Sequence, residues 1–468
     1  MKIQFCGAAR EVTGSAHLIT LQDGFKILLD CGLYQGNSEN MKGFNEAWYF
    51  KPEEVDVLVL SHAHIDHSGR IPKLVKDGFQ GAIHCTHATR SLCAIMLVDS
   101  AKIQEMDAGY YNKRQLKHGH RDKLREPLYT SKDVEKAWNL FEGHGYDRWF
   151  RIHKDVEVLY RDAGHILGSA SVTLRIQENG RTIHFGFTGD VGRPNRPILR
   201  DPNPMPEVDY LICESTYGDR DHEEAPNEGR RFLNIIRETC VEKRGKLIIP
   251  AFSVGRTQEI VYMLDQLETA GQLPHHIPVY VDSPLAVNAT TIFGAHPECF
   301  DDELNEYLLT DDNPFGFNGL TYVRNVELSK KLNTSKEPCI IISSSGMMNA
   351  GRVKHHLFHN IDNPANTFLI VGYCAPDTPG GALRDGAQHL RVFGEEKAVR
   401  ARVEIMDSFS AHADRHELAG FLANQKGKLK QLFLVHGTID RQEAFRELLH
   451  GKGFGQIEIP ELAQVYDL

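Results

Sequence analysis

At 468 residues, with 41% apolar and 25% charged side chains, the chain is long enough for two domains and has an ordinary globular composition, which excludes a disordered or fibrous protein. A formal charge of −10 argues by itself against a polyanion partner, so any such partner must be met by locally concentrated positive charge. Nine scattered cysteines without a CxxC pair exclude a disulfide framework or thiolate zinc cluster, and no export leader or eighteen-residue apolar run is visible, so a cytoplasmic protein without a membrane span is expected.

In chain order, short β-branched strands with tight turns fill the first two hundred residues: "KIQFCG", "FKILLDCG", "DVLVLSH", "AIHCT", "VEVLYRDAGH", "RTIHFGFTGD" and "DYLICEST". Helical periodicity interrupts them around residues 71–76, 89–104 and 131–142. Residues 113–125 are basic and polar and read as a solvated loop or helix end, so His118 and His120 receive no metal role. From Glu214 the texture is a regular alternation. "GKLIIPAF" leads to "SVGRTQEIVYMLDQLETAG", "IPVYVDSP" to "LAVNATTIFGAH", and "PCIIISSSGMMNAGR" to "VKHHLFHNI", with "TFLIVGY" following; this pattern implies parallel βαβ units. After Arg402 come "VEIMDSFSAHAD", a helix near residues 416–425 and the strand "QLFLVHG" with its own helix.

The stretch "LSHAHIDHSG" at residues 60–69 places His62, His64, Asp66 and His67 directly after an apolar strand. Where a strand opens into a loop, neighbouring side chains converge, and these four make a compact set of nitrogen and oxygen donors, a metal site in outline. The bland alternative is a polar turn. Further donors stand in matching strand-end positions: His165 in "YRDAGHILGSAS", Asp190 in "HFGFTGDVGR" and His436 in "LFLVHGT". Taken singly each reads as a polar turn residue. Taken together they supply seven N/O donors without a thiolate, a set that suits Zn²⁺, or Mn²⁺ less well, with a carboxylate such as Asp190 able to bridge two ions.

These motifs resemble the β-CASP branch of the metallo-β-lactamase fold, the group of ribonucleases similar to the endonuclease subunit of the cleavage and polyadenylation specificity factor. Asp30 in "ILLDCG" matches the first motif, His62–His67 the HxHxDH motif, and His165 and Asp190 the third and fourth. Glu214 in "ICEST", His412 in "SFSAHAD" and His436 in "LVHG" look like motifs A, B and C. The resemblance implies an α/β fold: a metallo-β-lactamase αββα sandwich formed by residues 1–210 and 405–468, with an α/β β-CASP cap inserted at 211–404. It further implies two zinc ions, one held by His62, His64 and His165, the other by Asp66, His67 and His436, with Asp190 between them and Asp30 steadying a ligand histidine.

The implied reaction is zinc-dependent hydrolysis of RNA phosphodiesters, endonucleolytic in the main. Two divalent ions roughly 3.5–4 Å apart turn a bridging water into hydroxide and hold the phosphoryl oxygens. Asp66, Glu214 and His412 are the expected catalytic residues, His412 protonating the leaving alkoxide and Glu214 fixing its tautomer. Single-stranded RNA rather than DNA is the expected partner, because RNA-processing members carry histidine at motif C; a homodimer is compatible with the sequence. "SSSGMMNAGR" and "PAFSVGRTQE" lie at strand-to-helix turns where backbone N–H groups favour phosphate. Ser253, Arg256, Ser343, Ser344, Ser345, Gly346 and Arg352, with Arg384 in the rim "GYCAPDTPGGALRDG", are therefore the phosphate candidates. The alternative class, a hydrolase of a small ester, thioester or lactam, would share the metal motifs without needing the cap or motifs A to C. Two further clusters, His275/His276 and His355/His356, are read as surface or packing residues.

Overall fold

The computed structural model describes the chain apart from residues 37, 223–227, 373, 376 and 407–409. Of the stretches quoted above, Ser408 and Phe409 beside His412 and Tyr373 and Pro376 in the glycine-rich rim lie outside the described residues. Two compact units result: Met1–Asp221 together with His412–Leu468, and His222–Ala411.

The first unit contains two seven-stranded sheets. One runs Val465–Asp467, Lys2–Phe5, His17–Thr20, Lys26–Leu29, Val57–Val59, Ala82–Thr86, Phe141–His144, becoming parallel from Lys26–Leu29 onward. The other runs Ile457–Glu458, Gln431–Val435, Tyr210–Glu214, Arg181–Phe187, Ala170–Glu178, Val156–Asp162, Phe150–His153. Strand periodicity explains how the layers pack. Ile212, Phe433 and Val435 join Phe5, Leu29, Val59, Val172, Leu174 and Phe187 in one buried cluster built from both sheets. Their immediate neighbours Leu211, Cys213, Leu432 and Leu434 point the other way, onto Leu418, Leu422, Phe445 and Leu449. Those last residues belong to or adjoin the helices Arg415–Phe421 and Ile439–Gly451. Helices Ile71–Lys76, His87–Lys117 and Ser131–Trp138 pack together and against the first sheet, completing the expected αββα sandwich.

The second unit is a six-stranded, wholly parallel sheet in the order Leu320–Tyr322, Val279–Val281, Cys339–Ser343, Lys246–Pro250, Thr367–Ile370, Arg402–Ile405. Its central strands Cys339–Ser343, Lys246–Pro250 and Thr367–Ile370 are buried on both faces, as a sheet covered by helices requires. Ile248, Ile341 and Phe368 pack against Val353, Leu357 and Ile361 of the helix Val353–Asn360 and its cap.

Three local expectations change. The helix expected to reach residue 142 stops at Trp138, and Phe141–His144 adds an edge strand beside Ala82–Thr86, where pairing outweighs helical periodicity. The helix read at 89–104 starts at His87, capped by the Thr86 hydroxyl that accepts from Thr89 N, and continues to Lys117. Strands His17–Thr20, Phe150–His153 and Ala170–Glu178 were not anticipated. Among the described residues no helix is long and apolar enough to cross a membrane. All nine cysteines are free and buried.

Leu174 is fully buried between the sheets. Leu174→Ala is expected to cost about 2–5 kcal/mol, read as a lower urea midpoint with an unchanged m-value.

Candidate metal centre

Every one of the seven expected donors stands just past the end of a strand of the first unit. His62 and His64 follow Val57–Val59, and Asp66 and His67 sit in the short helix Ile65–Ser68 that the loop enters. His165 follows Val156–Asp162, Asp190 follows Arg181–Phe187, and His436 follows Gln431–Val435. Sharp turns aim them. Gly164 and Gly189, immediately before His165 and Asp190, have φ of 62° and 55°, while His436 and Asp30 adopt φ of 54° and 57° without being glycine. A Cβ at Gly189 would lie 2.7 Å from Ser61 Cβ, so the Asp190 loop passes directly over the start of the HxHxDH segment.

The result is two donor groups around one carboxylate. In the first, His62 Nε2 and His165 Nε2 lie 3.1 and 3.2 Å from His64 Nδ1, and both lie 3.5 Å from Asp190 Oδ2. In the second, His67 Nε2 is 3.0 Å from His436 Nε2 and 3.3 Å from Asp190 Oδ1. There His436 Nε2 is 3.4 Å from Asp66 Oδ2 and 3.6 Å from Asp190 Oδ1. Donors about 2.0–2.1 Å from a tetrahedral ion are about 3.3–3.4 Å apart, so both groups have the spacing that a cation at their centre would produce. Asp190 Oδ1 is buried and has no hydrogen-bond partner among the described residues, although two imidazole nitrogens face it. A buried carboxylate oxygen in that condition calls for a positive charge. The residues present therefore fit divalent cations.

In the first group electrostatics act in the same direction, whereas in the second burial resists protonation of His67 but the Asp190 and Asp30 charges outweigh it and hold its pKa well above the ordinary histidine range. Burial, reinforced by neighbouring imidazoles, drives His62 and His165 well below the ordinary histidine range, and burial takes His64 down to about 4. All three are therefore neutral, the form that offers a lone pair. Burial opposes ionisation of Asp190, but the surrounding imidazoles, His436 first, hold it well below the usual carboxylate range.

Three of the ligand-type histidines, His67, His62 and His436, are steered from behind. Asp30, completely buried, accepts from Ser61 N at 2.8 Å, Ser61 Oγ at 2.9 Å and Ser15 Oγ at 3.2 Å, and meets His67 Nδ1 at 2.6 Å, leaving His67 Nε2 to face the centre. Ser61 Oγ also lies 3.0 Å from His62 Nδ1, and Thr216 Oγ1 3.0 Å from His436 Nδ1. Sequence reading named neither Ser61 nor Thr216. Their only signal is adjacency, in "LSHAH" and "CEST". Glu214, the last residue of its strand, is buried and accepts from Val191 N at 2.6 Å; its two oxygens lie 3.2 and 3.3 Å from His412 Nδ1. His412 Nε2 thereby faces Asp190 Oδ2, 3.9 Å away. Burial resists protonation of His412, but the Glu214 and Asp190 charges outweigh it and hold its pKa up at about 9.

The phosphate candidates all belong to the second unit. Ser344 Oγ donates to Ser283 Oγ at 2.7 Å, and Ser253 Oγ lies 3.3 Å from the same atom, so three hydroxyls meet at the N-cap of Pro284–Gly294. Ser283 was not singled out, though "VDSP" contains it. Ser343 Oγ donates to Asp282 O, Ser345 Oγ to Asn349 Oδ1, and Gly346 lies against the Phe252 ring. The arginines have protein partners: Arg256 with Glu259, Arg352 with Asp282 Oδ1 at 2.6 Å and with two carbonyls, and Arg384 with Gly372 O at 2.9 Å. His356 is buried between Asp282 and Asn333, while His275 and His276 are exposed.

An αββα sandwich with two N/O donor groups at its strand ends defines a metallo-hydrolase. Family models agree along the chain: one for the metallo-β-lactamase superfamily matches residues 9–208, one for the Beta-Casp domain 257–383, and one for a Zn-dependent metallo-hydrolase RNA specificity domain 396–460. The chain is 36% identical to a ribonuclease of Thermus thermophilus over 97% of both proteins. It is 30% identical to transcription termination factor FttA of Methanosarcina mazei, over 93% of this chain and 67% of that one, and 29% identical to its namesake in Methanocaldococcus jannaschii. The chain belongs to the β-CASP branch of the metallo-β-lactamase superfamily, and dependence on a divalent metal comes with that membership.

Asp30→Ala would leave Ser61 N and His67 Nδ1 buried without their acceptor. A loss of about 3–5 kcal/mol is expected in chelator, measured by urea unfolding, with Asp30→Asn losing less.

Proposed function

We propose that this metal-dependent hydrolase of RNA cuts single-stranded RNA internally with two zinc ions. One would be held by His62, His64, His165 and Asp190, the other by Asp66, His67, His436 and the second oxygen of Asp190. The observation that carries this reading is a four-donor group that includes the buried Asp190 carboxylate, beside a three-donor group of Asp66, His67 and His436 whose two imidazoles face its other oxygen. Two divalent cations there would supply an ionised water near neutral pH and charge neutralisation for the phosphoryl oxygens.

The rest of the chemistry belongs to the chain's own side chains. Glu214, anchored by Val191 N and Thr216 N, takes Nδ1 of His412 and leaves Nε2 directed at the donor groups. An imidazolium so held can give its Nε2 proton to the leaving ribose oxygen. Asp30, Ser61 and Thr216 hold His67, His62 and His436 in the tautomers whose free nitrogens point inward. In the second unit, the hydroxyls of Ser253, Ser283 and Ser344 beside a helix N-terminus suit a phosphate group, with Ser343, Ser345, Gly346, Arg256, Arg352 and Arg384 shaping that loop cluster. The similarity to a ribonuclease over nearly the whole of both chains supports RNA as substrate.

The reading is tested with a circular, internally labelled single-stranded RNA and, in parallel, a small ester. Zinc-loaded protein is expected to linearise the circle and leave the ester intact; turnover of the ester without cleavage of RNA would favour the small-molecule hydrolase. His412→Ala is expected to lower the cleavage rate about 10²–10⁴-fold while zinc content, measured by elemental mass spectrometry, stays at the wild-type level. Asp190→Ala is expected to lose both bound metal and activity.

A further inference from the structure

Away from the centre, the first unit gathers another set of metal-type donors. Strands Ala82–Thr86 and Phe141–His144 pair in parallel with His84 opposite Glu142, and His144, two residues further along, projects to the same face as Glu142. His84 Nδ1 lies 2.9 Å from His144 Nε2 and 3.5 Å from Glu142 Oε2, and the three donor atoms all fall within 4.8 Å of one another. None of these residues is among the seven donors of the centre.

Packing fixes both rings. His144 stacks flat on Phe150, with centroids 3.6 Å apart and 5° between planes, and the His84 ring lies 5.5 Å from the same phenyl group. His84 is 6% exposed and His144 half-buried, whereas the Glu142 side chain is 60% exposed, so the carboxylate stands at the solvent side. Burial lowers both imidazoles to about 4, which keeps them neutral. A hydrogen bond between them uses one N–H and one lone pair, and it gives no reason for a carboxylate to stand beside two neutral rings.

We propose that His84 Nδ1, His144 Nε2 and the Glu142 carboxylate form a further site for a divalent transition-metal ion at the edge of the first sheet. Two imidazoles and a carboxylate match zinc, with a fourth position left to solvent. A cation there ties the edge strand Phe141–His144 to its neighbour through side chains as well as backbone. The site depends on nothing assigned to the centre, so the two can fail separately.

The test is a zinc count on the full chain, stripped with chelator and equilibrated at the lowest free Zn²⁺ that saturates wild type. Glu142→Gln, His144→Phe and the double variant are each expected to hold one ion fewer per chain than wild type and to cleave RNA at the wild-type rate. His144→Phe keeps the stack on Phe150; Glu142→Gln alters an exposed side chain and keeps the test decisive if the ring replacement does not fold. Equal ion counts in wild type and variants would overturn the proposal.

Discussion

The centre depends on the sequestered carboxylate of Asp190. Its two oxygens face different groups of imidazoles, Oδ2 toward His62 and His165, Oδ1 toward His67 and His436. Burying such a group is costly unless positive charge or donated protons compensate. The compensation here is assembled from three separate strand ends, those that carry His62 and His67, His165 and His436. The sandwich provides rigid strands whose ends lie close together, and the loops beyond them carry the chemistry.

Much of this was legible in the sequence because the motifs are local. "SHAHIDH" places four donors in six residues, and no folding knowledge is needed to see that they crowd together. His165, Asp190 and His436 are isolated in the chain and stand out only by their matching strand-end positions, while Asp30, Glu214 and His412 are identifiable only through resemblance, since convergence across hundreds of residues leaves no trace in local periodicity. The parallel sheet of the second unit was legible for a different reason. Its central strands are apolar on both faces and alternate with helices, a pattern few other folds share.

What escaped notice was small and polar. Ser61 and Thr216 differ in no way from other hydroxyl residues until their Oγ atoms are found against His62 and His436. The strand Ala170–Glu178 buries Ser171 and Thr173 along with its apolar residues, so it lacks the clean in-out contrast that marks a strand. Helical periodicity runs on through Phe141 and Glu142 because the four residues Phe141–His144, one of them glycine, carry too little pattern to oppose it; neighbouring Ala82–Thr86 decides their conformation. That reassignment is also what aligns Glu142 and His144 with His84.

The order of the donors along the chain has a bearing on how the protein is made. The strand carrying His436 lies beside Tyr210–Glu214, and His412 bridges to Gly192, so a later segment supplies partners to residues synthesised more than two hundred positions earlier. A nascent or prematurely ended chain can fold much of the first sheet yet lacks both histidines. Assembly of the whole donor set thereby waits on pairings between distant parts of the sequence, and the strand that carries His436 is the last of them in chain order.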